Sequence, residues 1–161
     1  MRIGIAGITG RVGQLLIEEV RAAGATVAGG TTRAPEQATG LAAEVPLFTS
    51  MSALAEKCDV VIDFTHADTV VSSARALVGT GVAWVLGTTG LSAEQLGALQ
   101  EASGHMTVVH AANFSPGVTL VQRLARMMGQ ALPAETYDAE IVEMHHRQKG
   151  DARRKSTRRN S

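Results

Sequence analysis

Cysteine is almost missing from this chain. Cys58 is the only one in 161 residues, which excludes an intrachain disulfide and fits a reducing compartment, the cytoplasm by default. Its position just before an apolar run points to buried packing rather than reactivity. Proline is also scarce, with four in all, and together with a 45% hydrophobic composition this excludes disorder for most of the chain and allows one buried core. Long apolar runs are lacking: none approaches a membrane span, and the first is broken by Thr9, Gly10 and Arg11, too early for a secretory segment. Net charge is absent too, at a formal zero, but the balance is uneven. Residues 1–149 carry 10 cations and 14 acids, a net of −4, whereas residues 150–161 hold Arg153, Arg154, Lys155, Arg158 and Arg159 against Asp151. The body therefore has no electrostatic reason to seek nucleic acid, and neither nucleic acid nor membrane is expected as a partner.

What the chain does contain is alternation. Short apolar runs at 2–6, 26–30, 60–64, 82–86 and 106–110 are separated by segments of helical period at 12–23, 68–78 and 93–102. Strands of about five residues rich in Val and Ile, separated by helices, predict repeated βαβ units around a parallel sheet buried on both faces, an α/β doubly wound fold. In the first helix Val12, Leu15, Leu16 and Val20 are expected to share the buried face, with Gly24 ending it. Ser92 is placed to cap the helix after it, with Gln95 as its capping-box partner. Residues 31–50, with Pro35, Gly40 and Pro46, read as a loop holding at most a short strand at 47–49. After Asn113-Phe114-Ser115-Pro116-Gly117 the spacing predicts a helix over 118–132, capped by Ser115, and then a strand over 137–144. The expected organisation is a first domain at 1–115, a smaller α+β portion at 116–152 and a basic tail at 153–161.

Gly7-Ile8-Thr9-Gly10-Arg11-Val12-Gly13 follows a predicted strand and opens a predicted helix. In that context Gly7 permits a tight turn, Gly10 lets a pyrophosphate approach the backbone, and Gly13 lets helix and strand pack closely. The other reading is that these glycines serve only the turn. No P-loop lysine is present, which argues against a nucleoside triphosphate. At the end of the second strand, Thr31-Thr32-Arg33 stands where an NAD-preferring site often has a carboxylate. Arg33 is either a partner for a 2′-phosphate, favouring NADPH, or a solvated arginine at a loop start. Gly87-Thr88-Thr89-Gly90 and Ala111-Ala112-Asn113-Phe114 also follow predicted strands and should face the same crevice, although two threonines at a strand end also serve as turn and cap residues.

His145 and His146 point to opposite sides of an extended chain, so they cannot share one role. Without HxxxH or HExxH spacing, and with Cys58 remote, no metal site is expected. Taken together, GITGRVG (7–13), VIDFT (61–65), GTTG (87–90), AANFSPGV (111–118) and EIVEMHHRQKGDA (140–152) closely resemble dihydrodipicolinate reductase, the 4-hydroxy-tetrahydrodipicolinate reductase of lysine and diaminopimelate synthesis. The likeness covers residues 3–152. It implies a Rossmann-like domain for NADPH or NADH and a second domain that holds a small dicarboxylate and builds a homotetramer. By motif it assigns Gly7, Ile8, Thr9, Gly10, Arg11 and Val12 to the pyrophosphate, and Arg33 to the adenosine ribose. Gly87, Thr88, Thr89, Ala111, Ala112, Asn113 and Phe114 fall to the nicotinamide side, His145 and Lys149 to proton handling, and His146 to the substrate. The implied reaction is hydride transfer to C4 of a cyclic unsaturated dicarboxylate followed by protonation. An imidazole titrating near neutral pH and a lysine suit both the proton and the carboxylates.

The family continues from Lys-x-Asp-Ala into Pro-Ser-Gly-Thr, whereas Ala152 is followed by Arg153-Arg154-Lys155-Ser156-Thr157-Arg158-Arg159-Asn160-Ser161. This apolar-free stretch is expected to be out-of-frame translation or the end of a shortened gene, leaving the second domain incomplete. The alternative function is a dinucleotide-binding module without turnover.

Overall fold

A computed structural model describes residues 1–35, 44–132, 135–138 and 140. The chain divides into two compact units, Met1–Phe114 and Ser115–Ser161. In the first, the order is β1 (Arg2–Ala6), α1 (Arg11–Ala22), β2 (Thr26–Thr31), β3 (Leu47–Phe48), α2 (Met51–Ala55), β4 (Val60–Asp63), a 3-10 turn (Ala67–Thr69), α3 (Val70–Leu77), β5 (Ala83–Leu86), α4 (Ala93–Ser103) and β6 (Val108–His110). All pairings are parallel and the sheet order is β3-β2-β1-β4-β5-β6. This is the doubly wound order, with its direction reversing between β1 and β4.

Alternation along the strands feeds two cores. Ile3 and Ile5 of β1 turn toward α1, where they join Ile8, Ile17 and Val20. On the other face Val61, Trp84 and Leu86 pack with Val70, Ala74, Leu77 and Leu99, under α3 and α4. Trp84 is fully buried, and its indole Nε1 has no hydrogen-bond partner among the described residues.

The packing of α1 differs from the expected face. Val12 and Leu15 are exposed, and the row toward the sheet is Gly13, Leu16, Ile17 and Val20. These positions recur at helical spacing, but the first is a glycine and adds nothing to a hydrophobic count. Gly24, with φ +72°, ends the chain's helical course as expected. The five-residue α2 was not anticipated, whereas the short β3 falls within the expected 47–49. Residues 67–69 wind as a 3-10 turn before α3 begins at Val70. The capping box at Ser92 and Gln95 is present, with Ser92 N donating to Gln95 Oε1 at 2.7 Å.

In the second unit α5 (Pro116–Ala131) begins with Pro116 in its first turn, and the Ser115 hydroxyl accepts from Val118 N at 3.3 Å. Tyr137, Asp138 and Glu140 are not in a strand; the rest of the strand expected over 137–144 lies outside the described residues. No helix among the described residues is long and apolar enough to cross a membrane.

Cys58 is buried, and its Sγ donates to Leu54 O at 3.3 Å. Burial pushes the thiol up from its ordinary value. Native chain should therefore resist an aromatic disulfide reagent at neutral pH and react only as fast as it opens in denaturant. Rapid labelling without denaturant would contradict this burial.

At the amino ends of β1 and β4, next to Cys58, Arg2 grips Asp59, with Nη2 2.7 Å from Oδ1 and the Arg2 backbone N 2.7 Å from Oδ2. The Arg2 side-chain hydrogen bond, then its backbone N–H, hold the Asp59 carboxyl below its ordinary value. The unfolded chain, titrating at about 3.9 at this residue, then binds more protons than the folded one between that value and the lowered folded one. The pair's contribution is complete above about pH 5 and lost as pH falls through the lowered folded value. An exposed pair contributes little. Asp59→Asn should slightly lower the melting temperature at pH 7, and this gap should close in melts taken toward about pH 2.

Candidate functional site

A crevice of about 660 Å³ opens at the carboxyl ends of β1, β2 and β4, beside the reversal of strand order. Its floor is the turn after β1. Gly7 has φ +66°, a left-handed conformation that favours glycine, and its carbonyl accepts from Gly10 N at 2.9 Å. A side chain on Gly13 would place Cβ 2.5 Å from Gly7 O and 2.7 Å from Ile8 Cα, all backbone. The amino end of α1 is thereby drawn onto the turn. Its N-cap, Gly10, offers no side-chain hydrogen bond, which leaves first-turn amides for an anion.

The turn is tied to β2. Ile8 N donates to Thr31 O at 3.1 Å, Gly7 N to Thr31 Oγ1 at 3.1 Å, and the hydroxyls of Thr9 and Thr32 lie 3.3 Å apart. Among the residues assigned to the pyrophosphate, Gly7, Thr9 and Gly10 line the crevice. Ile8 is not part of that lining; its side chain is fully buried in the core. Arg11 and Val12 are exposed on the first turn of α1. Arg33 lines the crevice at the end of β2 and is exposed.

The opposite lip is the segment after β4, where Phe64, Thr65, His66, Asp68 and Thr69 line the crevice. His66 Nδ1 lies 3.0 Å from Asp68 Oδ2 at the exposed rim. Beyond this lip stand the two loops assigned to the nicotinamide side. The Phe64 ring lies where a Gly87 side chain would be, and it meets the Phe114 ring edge-on with centroids 5.7 Å apart. Thr88 is buried and donates from Oγ1 to Thr65 O at 3.3 Å, while Thr89 is exposed. Ala111 N donates to Leu86 O at 3.2 Å, tying 111–114 to β5; Ala112 is exposed and Asn113 is half-buried. His145, His146 and Lys149 lie outside the described residues.

The middle of the lip, Asp63 and Thr65, lies in the VIDFT run but had no expected role. Asp63 is wholly buried, and its Oδ1 accepts from Thr65 N at 2.9 Å and Thr65 Oγ1 at 2.6 Å. The available signal was one carboxylate closing an otherwise apolar strand, Val60-Val61-Ile62-Asp63.

Residues 1–114 match the family described as dihydrodipicolinate reductase, N-terminus, and residues 117–153 match its C-terminus counterpart. The chain belongs to the dihydrodipicolinate reductase family. The 4-hydroxy-tetrahydrodipicolinate reductase of Gluconacetobacter diazotrophicus is 61% identical over 152 residues, covering 94% of this chain and 57% of that protein. The enzyme of the same name from Granulibacter bethesdensis is 53% identical over 152 residues, covering 94% of this chain and 58% of the relative. The chain spans a little over half the length of these curated relatives. Among solved structures, a dipicolinate-bound dihydrodipicolinate reductase from Paenisporosarcina sp. TG-14 shares the fold with a TM-score of 0.65 at 24% identity, over 80% of this chain and 53% of that one.

Gly13→Ala tests the floor of the site. The added methyl meets backbone that no rotamer change can move, so the variant should lose about 1–3 kcal/mol in denaturant unfolding. Wild-type stability in this variant would mean that α1 does not sit on the turn as described.

Proposed function

We propose that this chain binds NADPH or NADH at the turn after β1 and serves the reduction of 4-hydroxy-tetrahydrodipicolinate to tetrahydrodipicolinate in lysine and diaminopimelate biosynthesis. The observation that carries the reading is the turn itself, in a chain of this family: Gly13 has no room for a Cβ against Gly7 and Ile8, and Gly10, which lines the crevice, begins α1 without a side-chain cap. A dinucleotide's pyrophosphate fits that combination of close backbone and free donors.

The reduced nicotinamide, when bound, supplies the hydride. The chain's own residues bind and orient. Gly7 to Val12 hold the phosphates through backbone amides, and the 87–89 and 111–114 loops border the nicotinamide side. His145 and Lys149 take the proton-handling roles and His146 contacts the substrate, whose two carboxylates call for cationic and donor partners. A homotetramer in the cytoplasm belongs to the same reading. A single free thiol fits a reducing setting.

Both cofactors suit the ribose end, with NADPH favoured. Thr31-Thr32-Arg33 has no carboxylate to repel a 2′-phosphate, and Arg33 is exposed at the crevice. Fluorescence titration should give micromolar binding of NADPH, and Arg33→Ala should weaken NADPH about tenfold, from one charge-assisted contact, while leaving NADH nearly unchanged. Failure to bind either nucleotide would sink the proposal. Consumption of NADPH with enzymatically generated substrate, abolished by His145→Ala and by Lys149→Ala, supports turnover; tight binding with no consumption supports the binding module instead.

A further inference from the structure

We propose that Asp63 is a positioning residue for the dinucleotide cradle, acting through Thr65; this rests on the dinucleotide reading above and deepens it. Asp63 closes β4 in register with Ala6 of β1 and Leu86 of β5, one residue short of the loops on either side. Its side chain is fully buried. A carboxylate in that setting is unfavourable unless hydrogen bonds compensate it, and only half of this one is compensated: Oδ1 takes both bonds from Thr65, while Oδ2 has no partner among the described residues. The neighbouring positions are Val60, Val61 and Ile62, so an apolar residue would satisfy the core better. What the carboxylate contributes is the orientation of one threonine.

That threonine joins the lips of the crevice. With its amide and hydroxyl held by Asp63, Thr65 directs Cγ2 at Gly7, where it would stand 2.8 Å from a Cβ built on that glycine. Its Oγ1 also lies 2.9 Å from Thr69 Oγ1, at the start of α3. Its carbonyl accepts from Thr88 Oγ1, and Thr88 O in turn lies 3.3 Å from His110 Nε2 at the end of β6. The loops after β1, β4 and β5 and the end of β6 thus take their spacing from one buried carboxylate. Neither Asp63 nor Thr65 needs to touch the reacting atoms. Their effect is on the width of the cradle between Gly7 and the β4 lip.

The test compares NADPH dissociation constants, by fluorescence titration of the full chain, with melting temperatures for Thr65→Val, Thr65→Ser, Asp63→Asn and the double variant Asp63→Asn/Thr65→Val. Thr65→Val keeps a methyl for Gly7 but loses the hydroxyl that holds it, and should weaken NADPH at least fivefold; Thr65→Ser, which keeps the hydroxyl but not that methyl, should weaken it less than Thr65→Val does. Because Asp63 acts through Thr65, the double variant should bind no more weakly than the weaker single variant. A Thr65→Val constant within twofold of the unaltered chain, or a double variant whose loss is the product of the two single losses, overturns the proposal, as does a fall in melting temperature with binding unchanged. Absence of any NADPH or NADH binding by the unaltered chain sinks the dinucleotide reading and this inference with it, an outcome distinct from loss of the Thr65 effect alone.

Discussion

Everything in the first unit that faces the crevice depends on how closely α1 lies on the end of β1. The contact is backbone on backbone, Gly13 against Gly7 and Ile8, and no side chain intervenes. It fixes where the partial positive charge of the helix amino end falls, within the first turn where that charge is felt. It also fixes which row of α1 reaches the core, because the row that begins at Gly13 continues to Ile17 and Val20. Packing and the anion-facing end of the helix are therefore one constraint.

The legibility of the fold follows from where its information is local. Largely buried strands read as apolar runs, so β1, β4 and β5 were visible in the chain, and β2 and the more exposed β6 were visible as short runs in the same alternation with helices. The caps at Ser92 and Ser115 were visible because each is settled within three residues. The face of α1 was misread because a glycine on the packing row leaves no hydrophobic mark, while exposed Val12 and Leu15 do. The helix α2 is too short to establish a period. At the site, the glycine spacing announced the turn, but the Asp63–Thr65 pair did not announce itself: a threonine two residues after an aspartate is ordinary turn chemistry until the sheet places Gly7 and Thr88 on either side.

The polar chemistry around the crevice is built mainly from hydroxyls. Thr9, Thr31, Thr32, Thr65, Thr69 and Thr88 connect neighbouring loops through bonds of 2.6–3.3 Å. Threonine suits this work because its χ1 is stiff and its hydroxyl serves as donor or acceptor without carrying a charge into a half-buried place. Charge is kept to the rim, at Arg33 and at His66 with Asp68, and to the one buried carboxylate beneath.

Trp84 is the chain's single tryptophan, and it is enclosed between the sheet and the α3–α4 layer. Selective excitation of that indole therefore watches only the unit that ends at Phe114, whereas far-ultraviolet ellipticity also sees the sixteen residues of α5. The molecule thus carries an optical division along its own architecture. If emission and ellipticity trace one transition, the two units melt as a single cooperative body; if they separate, the order of separation says which unit stands by itself.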